Sequence, residues 1–307
     1  MAGICQGRIV IVTGAGGGIG REHARLFAAE GAKVVVNDLG TSAAGEGSER
    51  SAAQVVADEI AARGGLAVAN ADDVSAWDGA ERLVRQAIDT FGGLDVLVNN
   101  AGILRDKMFA NMDEASWDAV VKVHLKGTFA PSRHAVEYWR SESKAGREVD
   151  ARIINTTSAS GIYGNVGQSN YGAAKAGIAA MTVILAQELE GYGITVNAVA
   201  PSALTRMTED LPQVKARVEA EGGRAGHSLD PVYAASPVVW LGSGESRGIT
   251  GRVFSVSGTK LAVNEGWVQG PTLETIGRPW TPEEIGEFLP QLVKAAASNA
   301  TMAGTRP

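Results

Sequence analysis

With 307 residues, 45% of them hydrophobic and 20% charged, the chain is long enough to bury a full core. A net charge of -6 and the absence of any Lys/Arg cluster argue against nucleic acid or an anionic membrane surface as a partner. The single Cys5 excludes an internal disulfide, and four scattered histidines with no HExxH or CxxC leave a metal without support.

No apolar run approaches the ~20 residues of a membrane span. The opening "MAGICQGRIVIVTG" lacks a basic stretch followed by a long apolar one, so the expectation is a cytoplasmic protein with no membrane partner.

In chain order, short β-branched runs occupy residues 8–12, 33–37, 66–70, 94–98, 152–157, 194–199 and 252–257, with helix-length segments between them. Runs apolar on both faces and separated by helices predict a parallel sheet covered on both sides, an α/β doubly wound fold of about seven strands. Residues 40–50, small and polar, read as an extended loop. Within 117–129, Trp117, Val120, Val121, Leu125, Thr128 and Phe129 recur at helical spacing, and His124 falls on the same apolar face. After residue 260 comes a tail in which Thr281, followed three residues later by Glu284, predicts a helix start, and the last ten residues read as frayed. With no linker or repeat, the division expected is 1–260 as a nucleotide-binding domain. Residues 261–307 form an extension packed on that domain or on a neighbouring subunit.

The first predicted strand runs into "TGAGGGIG". Gly14, Gly18 and Gly20 allow a sharp turn and let backbone N–H groups approach a pyrophosphate at the start of the next helix, whose dipole favours an anion. Asp38, 18 residues beyond Gly20 at the end of the second strand, stands where an acid would bond the adenosine ribose and repel a 2'-phosphate. That position predicts NAD as cofactor; the alternatives are that Asp38 merely caps a loop, or that Arg21 greets a phosphate. Asp73 and Val74 follow the third strand, and "NNAG" (99–102) follows the fourth, both at strand ends where open α/β sheets bind ligands. Asparagines there are also ordinary turn formers.

Beyond the fifth strand, Tyr171 and Lys175 lie i, i+4 on a predicted helix and share a face, with Ser158 thirteen residues upstream of Tyr171. An ammonium beside a phenol favours phenolate, which predicts a Tyr171 pKa below the usual ~10. The chemistry that fits is hydride transfer coupled to proton transfer at oxygen.

Taken together, the glycine motif, Asp38, "NNAG", Ser158 and the YxxxK pair resemble the short-chain dehydrogenases and reductases over residues 8 to about 260. The resemblance implies that Ser158 positions the substrate oxygen, Tyr171 exchanges the proton, and Lys175 holds the nicotinamide ribose while tuning Tyr171. It also implies that Ile19, Asn100, Ala101, Gly102, Pro201, Ala203 and Thr205 border the cofactor. Pro201-Ser202 replaces the family's usual Pro-Gly. "VVVNDLG", "NNAGILRDKMF", "VHLKGTF" and "SASGIYGNVGQSNY" are similar to the hydroxyacyl-CoA dehydrogenase domains of the type 2 multifunctional enzymes, also assigned as 17β-hydroxysteroid dehydrogenases.

This implies a 3-hydroxyacyl-CoA or a steroid as the small-molecule substrate and a homodimer or homotetramer as the assembly. A carrier-protein reductase and a non-enzymatic NAD-binding scaffold are the other readings. Lys215, Arg217 and Arg224 are candidates for CoA phosphates, although charges on such a segment are commonly just solvated. Most of the family has Asn in place of His124, where it completes a proton relay, so His124 is a candidate relay position. "VHL" is, however, the expected text of the type 2 group, and the apolar stripe favours a structural, hydrogen-bonded role.

Overall fold

A computed structural model describes residues 3–40, 42, 45, 51–203, 212–221 and 229–306. Eight strands form one sheet: β1 (Ile9–Thr13), β2 (Lys33–Asn37), β3 (Leu66–Asn70), β4 (Val96–Asn99), β5 (Ala151–Thr156), β6 (Ile194–Ser202), β7 (Val253–Ser257) and β8 (Lys260–Asn264). Their order is β3-β2-β1-β4-β5-β6-β7-β8, and every pair is parallel except β7 with β8.

The chain winds outward from β1 in both directions, so β1 and β4 are neighbours although β2 and β3 lie between them in sequence. Their carboxyl ends therefore open a crevice where the order reverses, the place at which such sheets bind ligands.

The helices are α1 (Gly18–Ala29), α2 (Ser51–Ala62), α3 (Trp77–Phe91), α4 (Glu114–Val121), α5 (Gly127–Lys144), α6 (Ala159–Tyr163), α7 (Ser169–Leu189), α8 (Pro212–Ala220), α9 (Val232–Gly242) and α10 (Pro282–Ala295). They cover both faces and bury the central strands completely, with Val10, Val12, Val34, Val36, Val96 and Val98 packed toward one layer and Ile11, Val35, Leu97 and Ile153 toward the other. This two-sided burial is why those strands read as continuous apolar runs.

Three expectations change. An eighth strand, β8, follows a tight turn at Gly258 (φ 56) and pairs antiparallel with β7. Three of its five residues are exposed, so it lacks the apolar run that marks the other strands. The stretch around His124 is not one regular helix: residues Lys122–Lys126 form a π-turn between α4 and α5. Val120, His124 and Thr128 are buried, while Trp117, before the turn, and Phe129, after it, are exposed, Phe129 against Trp77. The chain end is ordered into a turn closed by Thr301 N–H to Thr305 O at 2.8 Å, with Gly304 seated on Tyr163. Thr281 and Glu284 do form a reciprocal capping box at the start of α10. The 40–50 loop lies mostly outside the described residues.

Buried amides lock the carboxyl ends of the strands. Asn99 Nδ2 donates to Asn155 Oδ1 and to Ser132 Oγ, both at 2.9 Å, and Asn155 Nδ2 donates to Thr182 Oγ1 on α7 at 2.9 Å. This ladder joins β4, β5 and α7 in a fully buried region. Asn155→Leu removes one hydrogen bond from each of two buried partners and should lower the unfolding free energy by about 2 kcal/mol. Urea titration checks it, and an unchanged midpoint would show that the ladder adds nothing.

Candidate active site

The turn after β1 is closed by its own neighbours. Gly14 (φ 63) lies in the left-handed region, and a Cβ there would sit 2.7 Å from Ala101 Cα; one on Gly20 would sit 2.2 Å from Gly14 O. Asn100 reaches across from the end of β4, its Nδ2 donating to Thr13 O at 2.9 Å and Gly14 O at 3.1 Å. Thr13 Oγ1 accepts in return from Asn100 N and Ala101 N. "NNAG" therefore shapes the glycine turn as well as bordering it, a role local spacing does not reveal. Beyond the turn, α1 begins at Gly18, with Gly17 extended as its cap and Ile19 half-buried. Free N–H groups at that end of a 12-residue helix, approached by side-chain-free backbone, fit a dinucleotide pyrophosphate.

Asp38 stands at the mouth of this turn. Its Oδ2 accepts from Gly16 N at 2.8 Å and its Oδ1 from Gly40 N at 2.7 Å, and a Cβ on Gly16 would meet the carboxyl at 2.8 Å. Gly16, absent from the sequence expectation, is thus the glycine that lets the acid approach. Arg21 is unavailable for a phosphate, because Glu59 holds it in a two-point ion pair at 3.0 and 2.8 Å.

Asp73 closes its own turn, accepting from Ser75 N at 2.8 Å and Ser75 Oγ at 2.6 Å, with Val74 buried beside it. Pro201 and Ser202 continue β6, paired with Val256 and Ser257, so serine in place of glycine extends the strand; Ala203 is buried just beyond. Thr205, Arg224 and the side chain of Arg217 lie outside the described residues, and Lys215 lies on exposed α8.

The predicted catalytic set is brought together. Ser158 caps α6, its Oγ accepting from Ser160 N at 3.2 Å. Helix α6 crosses α7 so closely that a Cβ on Gly161 would sit 2.6 Å from the Lys175 backbone, and this packing carries Ser158 onto Tyr171. Lys175 is 3% exposed, its Nζ donates to Thr156 O at 2.6 Å, and Thr157 Oγ1 donates to Lys175 O at 2.7 Å. The ammonium lies 5.6 Å from the Tyr171 ring centre.

Burial pushes Lys175 down to about 7. It pushes Tyr171 up to about 12, against the opposing hydrogen bond of Ser158 and with a small further push from Asp106. The expected lowering of the tyrosine is therefore reversed in the protein alone. Desolvation of the phenolate outweighs the attraction of an ammonium whose own charge is disfavoured by the same burial.

His124 is 1% exposed and stands edge-on to Tyr171, ring centres 5.1 Å apart at 90°. Its Nε2 meets the backbone of Ile103, 2.8 Å from O and 3.1 Å from N, and a Cβ on Gly102 would lie 2.3 Å from its Cε1. The glycine of "NNAG" thus makes room for the imidazole. Burial, with Lys175 nearby, pushes His124 down to about 3, so the ring is neutral.

Among the described residues, no three His, Cys, Asp or Glu side chains gather as a metal site, and no helix is long and apolar enough to cross a membrane.

Residues 8–216 match the family model described as short chain dehydrogenase. A hydroxyacyl-CoA dehydrogenase of Mycobacterium tuberculosis is 41% identical over 91% of this chain and 86% of its own. The mouse peroxisomal multifunctional enzyme type 2 is 43% identical over 91% of this chain; the present chain spans 36% of that enzyme's length, and 27% and 60% of two other multifunctional relatives. The crystal structure of a short chain dehydrogenase from Mycobacterium avium superposes with a TM-score of 0.85, at 51% identity over 97% of this chain and 98% of that one. Fold, site geometry and these similarities agree: the chain belongs to the short-chain dehydrogenase family.

Proposed function

We propose that the protein oxidises the hydroxyl of a 3-hydroxyacyl-CoA to the 3-oxo compound with NAD as hydride acceptor. The observation that carries this reading is the convergence of Ser158, Tyr171 and buried Lys175 at the sheet end that also holds the glycine turn. The bound nicotinamide supplies hydride acceptance. The rest is work for the protein's own side chains. Ser158 Oγ holds the substrate oxygen, and Tyr171 Oη takes its proton as the C–H bond is broken. Because burial opposes the phenolate, Tyr171 becomes a base only when positive charge is close, from Lys175 and from the oxidised cofactor.

Asp38 and the engagement of Arg21 by Glu59 support NAD over NADP, since a 2'-phosphate would face a carboxylate with no free cation at that place among the described residues. The acyl-CoA class rests on the relatives' names and on the exposed apolar residues Met108, Phe109 and Val166. The pairing of Lys107 with Gln168 places these two loops side by side next to Tyr171. A hydroxysteroid is the second substrate reading. Asp38 opposes a NADPH-dependent reductase, and the intact Ser158, Tyr171 and Lys175 oppose a mere scaffold.

Exposed Val183 and Ile184 on α7 and Phe129 on α5 support a homodimer or homotetramer. Ile285, Leu289 and Val293 on α10, none of them buried, support packing of the extension beyond residue 260 against a neighbouring subunit.

Initial rates of NADH formation against 3-hydroxyacyl-CoAs of rising chain length, a steroid-CoA and free 17β-hydroxysteroids test this reading. The CoA esters should be turned over with NAD at a kcat/KM at least about tenfold above that with NADP, a difference of ~1.4 kcal/mol. Better rates with NADP, or with free steroids alone, would overturn it. We infer further that His124 is a wedge between Gly102 and Tyr171, not a proton shuttle. His124→Asn should leave the ionisations of the pH-rate profile between about pH 6 and 9 in place while lowering stability by about 1 kcal/mol. A displaced ionisation would make His124 a shuttle.

A further inference from the structure

We propose that Asp106 is a positioning residue for the oxidation, orienting the Gln168 amide so that Ser160, and through it Ser158, is held in one hydrogen-bonding state. This inference rests on the catalytic roles given above to Ser158 and Tyr171.

The loop after β4 is strapped to the entry of α7. Lys107 N donates to Gly167 O at 2.9 Å, and the fully buried Asn170 donates from Nδ2 to Arg105 O at 3.0 Å while accepting from Tyr171 N at 2.7 Å. Within the strap, Gln168 Nε2 donates to Asp106 Oδ2 at 2.6 Å. Gln168 Oε1 accepts from Ser160 Oγ at 2.7 Å and Asn165 Nδ2 at 2.9 Å.

An amide can turn over, exchanging its donor and acceptor ends, but an ionised carboxylate only accepts. Asp106 therefore forces the NH2 group toward itself and leaves the oxygen for Ser160. Ser160 lies in the first turn of α6, where its backbone N–H donates to Ser158 Oγ at 3.2 Å, so the anchored hydroxyl holds in place the residue that contacts Ser158. One lone pair of Ser158 is thereby occupied, and its O–H is directed to Tyr171 or the substrate oxygen. Removing the carboxylate removes the preference for one amide orientation, and the uncertainty passes down to Ser158.

The charge has a second effect. Tyr171 is faced by Lys175 from its own helix, by neutral His124 from the π-turn, by uncharged Ser158 from α6, and by Asp106 from the loop, where Lys107 is paired with Asp113. Asp106 is the anion of this set that disfavours phenolate.

The test is a swap of chemistry between the two positions in the full-length enzyme, with 3-hydroxyacyl-CoA and NAD. Asp106→Asn frees the amide to turn, and Gln168→Glu sets two carboxylates against each other. Each should lower kcat about five- to tenfold, the size of one lost hydrogen bond, with the KM for NAD unchanged. Asp106→Asn should also move the acidic limb of kcat/KM to lower pH. In the double variant the introduced amide donates to the introduced carboxylate, whose other oxygen accepts from Ser160, and kcat should return to within about threefold of the parent.

Ser160→Ala deletes one hydroxyl and should lower kcat by the same factor, keeping the claim testable if a charge variant fails to fold. Parent kcat and an unmoved acidic limb in the single variants, or no recovery in the double, would overturn the proposal. Tyr171→Phe in the same assay separates the two claims. Full turnover there removes the catalytic reading itself, whereas an inactive Tyr171→Phe beside fully active Asp106 and Gln168 variants removes only the role of Asp106.

Discussion

Two hydrogen bonds between β5 and α7 set the geometry on which the site depends. Lys175 Nζ reaches back to Thr156 O, and Thr157 Oγ1 reaches forward to Lys175 O, so the last residues of the strand and the second turn of the helix are fastened in both directions. The helix cannot then slide along the sheet without exposing a buried ammonium to an unsatisfied environment. Tyr171, one turn earlier, is held at the crevice by this fastening, and Gly161 lets α6 approach until Ser158 meets it. The arrangement of Ser158, Tyr171 and Lys175 is thus an extension of how the sheet ends.

The same burial that fixes the pair determines its charge state. Both groups are driven toward neutrality, the lysine down to about 7 and the tyrosine up to about 12. For stability, a depressed lysine pKa means that the unfolded chain binds more protons between about pH 7 and 10, so stability rises with pH through that window. In the proposed reaction, a site this neutral would gain its base when a cationic nicotinamide ring is bound beside it, which would couple proton removal to the oxidised cofactor. At the other end of the crevice Asp38 contributes a fixed anion, held by two backbone N–H groups.

What could be read from the chain beforehand follows a physical division. Strands β1, β2, β4, β5 and β6 announce themselves because they are buried on both faces, β3 and β7 are short apolar runs although partly exposed, and the glycine turn and the Tyr171–Lys175 pair lie within short spans whose spacing maps directly onto a turn and a helix face. Asp106 and Gln168 are 62 residues apart and meet only through the strap, so no periodicity marks them. Apolar spacing places Trp117 and Phe129 on the inward face, but both are exposed: Trp117 lies at the edge of the buried face of α4, and Phe129 follows the π-turn that breaks the helical register. The direction of the Tyr171 shift is not legible for a related reason: a lysine one turn away is visible in a sequence, whereas the burial that raises the tyrosine is a property of the assembled fold. His124 sits between these cases. Its position on an apolar stripe is legible; its contact with Gly102 is not.

Under the proposed reaction, burial holds Tyr171 as a phenol until a cationic cofactor is bound. Ultraviolet titration of tyrosinate, taken as the difference between the parent protein and Tyr171→Phe, measures this directly. In the free protein the difference signal should be flat through pH 9 and rise only toward about pH 12, moving to lower pH with saturating NAD. A tyrosinate signal titrating near pH 7 in the free protein would contradict the account.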